Sequence, residues 1–288
     1  MESLQDYLTL LVDREGSDLH LKAGGPAFIR VDGDLKPITQ LPPLSPRDTE
    51  QFAREIMEER VAKDFLTRGE ADFAHAVSGL GRFRVNAFRQ RGSVGMVMRR
   101  ILTQTPKFGE LGLPAACRML AEEHRGLILV TGPTGSGKTT TTAAMLGHIN
   151  STRRCHVVTI EDPIEVLHRD DQAIIDQREI GVDTRDFTTA MKAVSRQDPD
   201  VIFIGEMRDL ETVQAALQAA ETGHLVVSTL HTTDATETVN RIVDLFPKEQ
   251  QNQARLSLAS SLKGIVCQRL VPHATGTGRV AVVEVMVM

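Results

Sequence analysis

A chain of 288 residues, 41% hydrophobic and 25% charged with 12 Pro and 22 Gly, has a globular composition that excludes a fibrous or low-complexity protein, and at about 150 residues per domain it has room for two cores. Its 33 basic against 38 acidic residues give a net charge of −5, and it has one Tyr and no Trp, so neither a global positive field nor the usual stacking platforms invite nucleic acid as a partner. Cys117, Cys155 and Cys267 are too scattered for a disulfide framework or a Cys-x-x-Cys metal site; with no apolar run near the roughly 20 residues of a membrane span and no basic leader, a cytosolic chain is expected.

Leu4, Tyr7, Leu8 and Leu11 recur at helical spacing, after which Leu19 and Leu21 alternate with Asp18 and His20 as in a strand. The segment FIRVDGDLKPI carries an Asp32-Gly33 turn between two short apolar runs, a hairpin signal. Ser45-Pro46 then opens a helix with Phe52, Ile56, Met57, Val61 and Phe65 on one face. Residues 79–101 read as further strands with a turn at Gly92-Ser93; Phe83, Val85 and Ala87 share one face, Arg82, Arg84 and Asn86 the other. Residues 1–104 are thus expected to form a small α+β domain, residues 105–113 a turn-rich linker and hinge, and residues 114–288 a second domain that starts with a helix near Pro114. There, apolar runs at 127–131, 157–160, 201–204 and 225–230 alternate with helical stretches, the order of a parallel sheet covered by helices on both faces, an α/β domain.

The strongest motif is Gly132-Pro133-Thr134-Gly135-Ser136-Gly137-Lys138-Thr139, a complete G-x-x-x-x-G-K-T between the strand-like GLILVT and the helix-like TTTTAAMLGHI that Thr139 and Thr140 open. In such a loop the glycines let backbone N–H groups turn inward around phosphates and the helix N-terminus adds its positive end; Lys138 would bridge the β and γ oxygens and Thr139 would offer a hydroxyl to Mg²⁺. Phosphoryl transfer also needs carboxylates at the ends of neighbouring strands. The run VIFIGE resembles a Walker B strand and would put Glu206 near Mg²⁺, and HVVTI runs into Glu161, Asp162 and Glu165. Position alone leaves open which acid activates water. His224 and His231 stand at the two ends of a third strand, where either could sense the γ-phosphate. No Asn-Lys-x-Asp segment is present to read guanine, which points to ATP.

The segments RFRVNAF, IEDPIE, DPDVIFIGEMRDLET and AAETGHLVVSTLHTT, arranged around the phosphate loop, resemble the secretion-type hexameric ATPases and within them the type IV pilus retraction ATPases; the likeness runs over residues 17–287. The resemblance implies a PAS-like N-terminal domain, a RecA-like ATPase domain, and a homo-hexamer binding ATP and Mg²⁺ between subunits, alone or with a paralogous retraction ATPase. It assigns residues 132–140 to Walker A, Glu165 to an acidic box as the water-activating carboxylate with Glu161 and Asp162 beside the nucleotide, Glu206 to Walker B, and His224 and His231 to a histidine box. Arg84 and Arg99 match arginines that reach the γ-phosphate from the N-terminal domain, and Arg196 is a further candidate from the ATPase domain. The implied output is pilus retraction and twitching motility, and the implied partner is an inner-membrane pilus platform protein at the inner face of the cytoplasmic membrane.

Two departures qualify the resemblance. Family members continue for several tens of residues past the position of Met288 with an Ala-Ile-Arg-Asn-Leu motif tied to retraction; the motif is not in this sequence, so either truncation or lost coupling is expected. Three scattered cysteines cannot build the four-cysteine zinc insertion of pilus assembly and secretion ATPases, which disfavours that branch. Between the two paralogous retraction branches the motifs divide, GEMRDLET and LHTTDA matching one, SVGMVMRRI and CQRLVPHATGTGRVAVVEV the other. The competing readings are a nucleotide-binding accessory ring component that assists an active paralogue, and a nucleic-acid translocase on the same core, disfavoured by charge.

Overall fold

The computed structural model describes residues 3–31, 33–101, 107–274 and 278–288, and the chain divides into two compact units, Met1–Thr103 and Gln104–Met288. In the first unit, helix α1 (Leu4–Asp13) precedes strands β1 (Asp18–Lys22), β2 (Phe28–Val31) and β3 (Asp34–Pro37). Helices α2 (Pro46–Ile56) and α3 (Glu59–Arg68) follow, then β4 (Glu70–Val77), β5 (Gly81–Gln90) and β6 (Ser93–Ile101). The strands form one antiparallel sheet in the order β3-β2-β1-β6-β5-β4. Period-2 alternation puts Leu19, Leu21, Phe83, Val85, Met96 and Met98 on the face that packs against Tyr7, Leu8 and Leu11 of α1 and Phe52 of α2. Ser45 and Asp48 form a reciprocal capping box at the start of α2, with Pro46 in the first turn, the chemistry that the Ser45-Pro46 signal predicts.

Three local expectations change. The single helix expected after Ser45 is two, because Met57 leaves helical geometry (φ −83°, ψ 123°) and the chain restarts at Glu59. The β5–β6 hairpin turns at Arg91-Gly92 rather than Gly92-Ser93: Gln90 pairs with Ser93, and both corner residues are left-handed (φ 48° and 78°), as a type I′ connection requires. Strand β4 escapes the sequence pattern because only Phe73 along it is buried. Val31 does pair with Asp34 across the expected hairpin, although residue 32 of the Asp32-Gly33 turn lies outside the described residues.

The second unit opens with α4 (Phe108–Leu111) and α5 (Ala115–Ala121), followed by β7 (Gly126–Thr131), α6 (Lys138–Thr152), β8 (His156–Glu161), β9 (Ile174–Glu179) and α7 (Phe187–Val194). The chain continues through β10 (Val201–Ile204), α8 (Leu210–Glu221), β11 (Leu225–Leu230), α9 (Ala235–Asp244), α10 (Gln251–Ser261), β12 (Leu262–Pro272) and β13 (Arg279–Val287). Helix α4 falls inside the stretch read as a linker; Phe108 packs against the second unit's core and edge-on to His148, so this part of 105–113 is folded. The sheet order is β13-β12-β7-β11-β10-β8-β9, parallel except for β13. Strands β7, β10 and β11 are buried along their whole length, because helices cover both faces. Alternate residues feed two cores: Leu127, Leu129, Ile202, Ile204 and Val226 face one layer, Ile128, Val130, Val201, Phe203 and Val227 the other.

The in-register parallel pairing fixes what shares an edge. Thr131 lies opposite Leu230, Ser228 opposite Ile204, and Ile204 opposite Ile160, so the chain leaves β7, β11, β10 and β8 along one rim. That rim, outside the carboxyl ends of the strands, is where α/β sheets bind ligands.

Candidate functional site

The loop between β7 and α6 carries three glycines at positive φ, of which two are sterically obligatory. A Cβ on Gly132 (φ 143°) would fall 2.2 Å from the carbonyl oxygen of Gln268 and 2.6 Å from Ser136 Oγ. Gly137 (φ 89°) caps α6 in left-handed geometry with Gln268 Nε2 only 3.0 Å from where a Cβ would stand. Pro133, Thr134 and Gly135 are exposed at the loop's tip, Ser136 is buried, and Thr139 and Thr140 are exposed in the first turn of α6. Lys138, the first residue of that helix, donates from Nζ to the carbonyl oxygens of Gly132 (2.7 Å) and Pro133 (3.1 Å), and lies 3.4 Å from His231 Nδ1. Burial lowers its ammonium pKa, against the opposing pull of Glu206 and Glu165.

Two of the acids converge on this lysine. Thr139 donates its hydroxyl to Glu165 Oε2 at 2.5 Å. Glu206, one residue beyond the Gly205 that follows β10, holds His231 Nε2 at 3.1 Å with one oxygen and an Arg208 guanidinium nitrogen at 2.8 Å with the other. Partial burial alone would raise the Glu206 carboxyl, but the hydrogen bonds and charges of Arg208 and His231 outweigh it and hold the group below the usual carboxylate range. Arg208 is made more basic by the same pair, with Asp162 adding to it. Hydroxyl and carboxylate oxygens of this kind, at Thr139, Glu165 and Glu206, suit a hard cation such as Mg²⁺. Among the described residues no cluster of three His, Cys, Asp or Glu side chains could hold a metal by itself.

Other expected members of the site stand apart. Glu161 is 8% exposed and turned into the sheet, accepting from Thr159 Oγ1 (2.6 Å) and Gln177 Nε2 (3.0 Å), and burial pushes its pKa up to about 7. It therefore lies behind the rim and is not presented to a nucleotide, whereas Asp162 beside it is exposed. His224 precedes β11, with Nδ1 3.0 Å from the carbonyl oxygen of Ala219, and Arg196 precedes β10; both are at the opposite edge of the parallel sheet from the phosphate loop. Of the two histidines of the expected box, His231 stands at the rim beside the phosphate loop and His224 at the opposite end of β11. Arg84 and Arg99 lie directly opposite each other on β5 and β6 of the first unit. Arg99 Nε donates to the buried Asp18 at 2.8 Å, and Arg84 Nε lies 4.0 Å from Asp72.

Two residues of the site escaped the sequence reading. Arg208 was visible within GEMRD but carries no role by spacing alone. Gln268, 3% exposed on β12, donates from Nε2 to the Ser136 carbonyl at 2.7 Å; next to Arg269 in IVCQRLV, it carries no local signal.

A phosphate loop on a central parallel strand, with strand-end acids converging on its lysine, is the architecture of a P-loop ATPase. The model of the Type II/IV secretion system protein family matches residues 74–287. The type IV pilus retraction ATPase PilT of Pseudomonas aeruginosa is 46% identical over 284 residues, 99% of this chain and 82% of that protein. The type IV pilus ATPase PilU of the same organism is 45% identical over 282 residues, 98% of this chain and 74% of that protein. The crystal structure of the pilus retraction motor PilT with bound ADP superposes with a TM-score of 0.96 at 47% identity, over 100% of this chain and 83% of that one. The chain belongs to the Type II/IV secretion system protein family and within it is a PilT/PilU-like ATPase.

Proposed function

We propose that this ATPase hydrolyses Mg²⁺-ATP as a homo-hexameric motor that powers type IV pilus retraction, with nucleotide held between subunits. The observation that carries the reading is the joining of Lys138, His231 and Glu206 through one imidazole at the rim, beside the Thr139–Glu165 pair. Backbone N–H groups of the loop and the α6 N-terminus would bind the β-phosphate, and Lys138 would exchange its two loop carbonyls for phosphate oxygens. Thr139 and Glu206 would hold Mg²⁺, which neutralises charge on the phosphates when bound. Glu165 would accept the proton of the attacking water. Arg84 and Arg99 of a neighbouring subunit's first unit would meet the γ-phosphate.

The partner class is a pilus platform protein at the inner face of the cytoplasmic membrane; none of the described helices is long and apolar enough to cross a membrane. The deciding experiment is steady-state Mg-ATP hydrolysis against protein concentration, with light scattering for mass and Lys138→Ala as the blank. Specific activity that rises as hexamers form supports the motor. Hexamers that bind ATP without turning it over point instead to an accessory ring component.

A further inference from the structure

We infer that Gln268 is a positioning residue for the phosphate loop and, through the peptide it holds, sets the affinity for a nucleoside diphosphate. The inference deepens the nucleotide-site reading above and rests on it.

Strand β12 runs parallel to β7 with Cys267 opposite Thr131, so the next residue, Gln268, stands where β7 gives way to the loop. Its backbone carbonyl closes on Gly132, and its side chain reaches the far limb of the loop, where Nε2 donates to the Ser136 carbonyl at 2.7 Å. One residue thereby touches both ends of the turn. Cys267 reinforces the first of these contacts, since Thr131 donates its hydroxyl to Cys267 Sγ at 2.9 Å.

The consequence follows from peptide planarity. In a trans peptide the C=O and the following N–H point in opposite directions, and Asp162-Pro163 is the only cis bond among the described residues. Fixing the Ser136 carbonyl outward on Gln268 therefore directs the Gly137 N–H to the other side, into the hollow where a phosphate oxygen would sit. Gly137 is left-handed, with φ 89°, and has no Cβ to resist rotation, so without an external hold this peptide is free to flip. The amide is retained at a cost. Gln268 Oε1 is buried with no hydrogen-bond partner, and the residue follows the buried Ile265, Val266 and Cys267, where Met would pack without that penalty. An orphaned oxygen is tolerated here because the nitrogen on the same group is needed. Reversing the amide would set its oxygen against the Ser136 carbonyl.

The test compares ADP binding by calorimetry to the wild-type chain, Gln268→Glu and Gln268→Met between pH 5.5 and 8, with thermal melts of the nucleotide-free proteins. Gln268→Glu replaces the donor with a carboxylate at the same reach, and at pH 8 its affinity is expected to fall at least tenfold below wild type. As pH falls, the introduced carboxyl protonates and regains an O–H donor, so that deficit relative to wild type should shrink. Gln268→Met, unbranched and without a donor, should lose affinity by about the same factor at every pH. Wild-type affinity at pH 8 in either variant overturns the inference, as does a loss in Gln268→Glu that is independent of pH, which would mark packing alone. If the carboxylate variant does not fold, Gln268→Met alone decides, because undiminished ADP affinity in it removes any role for the donor. Lys138→Ala separates the two levels. A wild-type chain that binds ADP no better than Lys138→Ala overturns the nucleotide-site reading itself, whereas a wild-type chain that binds it with unchanged Gln268 variants overturns only the inference about Gln268.

Discussion

His231 Nε2 lies 3.1 Å from Glu206 Oε1, and the other nitrogen of the same ring lies 3.4 Å from Lys138 Nζ. A single imidazole at the end of β11 thus joins the acid that follows β10 to the lysine that opens α6. Parallel register makes this contact, since it brings the ends of β7, β10 and β11 level on one rim.

Glu206→Gln keeps the shape of the group and its hydrogen-bonding reach while removing its charge. ADP affinity should stay within a few fold of wild type, because Lys138 and the loop are untouched. Turnover should fall by about 10² to 10⁴, the range typical of losing a group that acts on charge or protons in the transition state. Single-turnover hydrolysis with a nucleotide titration on the same sample separates the two quantities. Wild-type turnover in this variant would remove Glu206 from the chemistry.

Arg208 sets the charge state of that acid. Burial pushes the Glu206 carboxyl up, and the Arg208 hydrogen bond with its charge is the largest influence holding it down. Arg208→Ala should therefore let the Glu206 pKa rise, and the acidic limb of the pH–rate profile should move to higher pH. In wild type the stabilisation from this pairing is present above the unfolded carboxyl pKa and is lost as pH falls through the depressed folded value. In the variant that loss of stability should be smaller, since only His231 still holds the carboxyl down. A pH–rate profile that superposes on wild type would show that Glu206 ionisation does not limit the reaction.

Much of the rim was legible in the sequence because its signals are local. The phosphate loop is contiguous, the buried parallel strands are unbroken apolar runs, and Glu206 directly follows one of them. What was not legible depends on direction and register. His224 and His231 flank the same strand and look equivalent as letters, yet a six-residue parallel strand sends them to opposite edges of the sheet. Glu161 and Glu165 belong to one acidic cluster, but Glu161 is still in β8, where alternation turns it inward, and Glu165 lies beyond it. Gln268 was invisible because its role comes from a strand 132 residues after the loop residue it holds. In the first unit the break at Met57 left no punctuation, since no Gly or Pro interrupts the helical pattern there.

Glu161 should leave its mark on stability. Its folded pKa, pushed up to about 7 by burial, exceeds the ordinary carboxylate value of 4.5, so the folded state binds the extra proton between these limits. Stability should then fall as pH rises from 4.5 to 7 and stay lower above that window. Glu161→Gln removes the ionisable group while its amide oxygen can still accept from Thr159 and Gln177. The variant should melt higher than wild type at pH 8, by up to roughly 3 kcal/mol for a shift of that size, and the gain should vanish near pH 5. Equal melting offsets at both pH values would mean that Glu161 stays in one protonation state throughout.

Arg84 and Arg99 face each other directly across β5 and β6, an arrangement that favours an anion between them. Like charges directly opposite on an antiparallel pair are destabilising, by roughly 0.2 to 1 kcal/mol. Asp18 relieves only one side: it is buried and bonded to Arg99 at 2.8 Å, whereas Arg84 is 46% exposed and 4.0 Å from its nearest acid, Asp72. Arg84→Ala should leave the fold as stable as wild type or stabilise it by about 0.5 kcal/mol. If Arg84 of one subunit meets the γ-phosphate bound by another, the same variant should lose turnover by as much as about 10³ in assembled protein. Thermal melts and hydrolysis measured across a concentration series read both effects in one preparation. A variant that melts lower with unchanged specific activity would make Arg84 a structural residue of the first unit; one that loses the same factor at every concentration, dilute monomer included, would place its action within its own subunit.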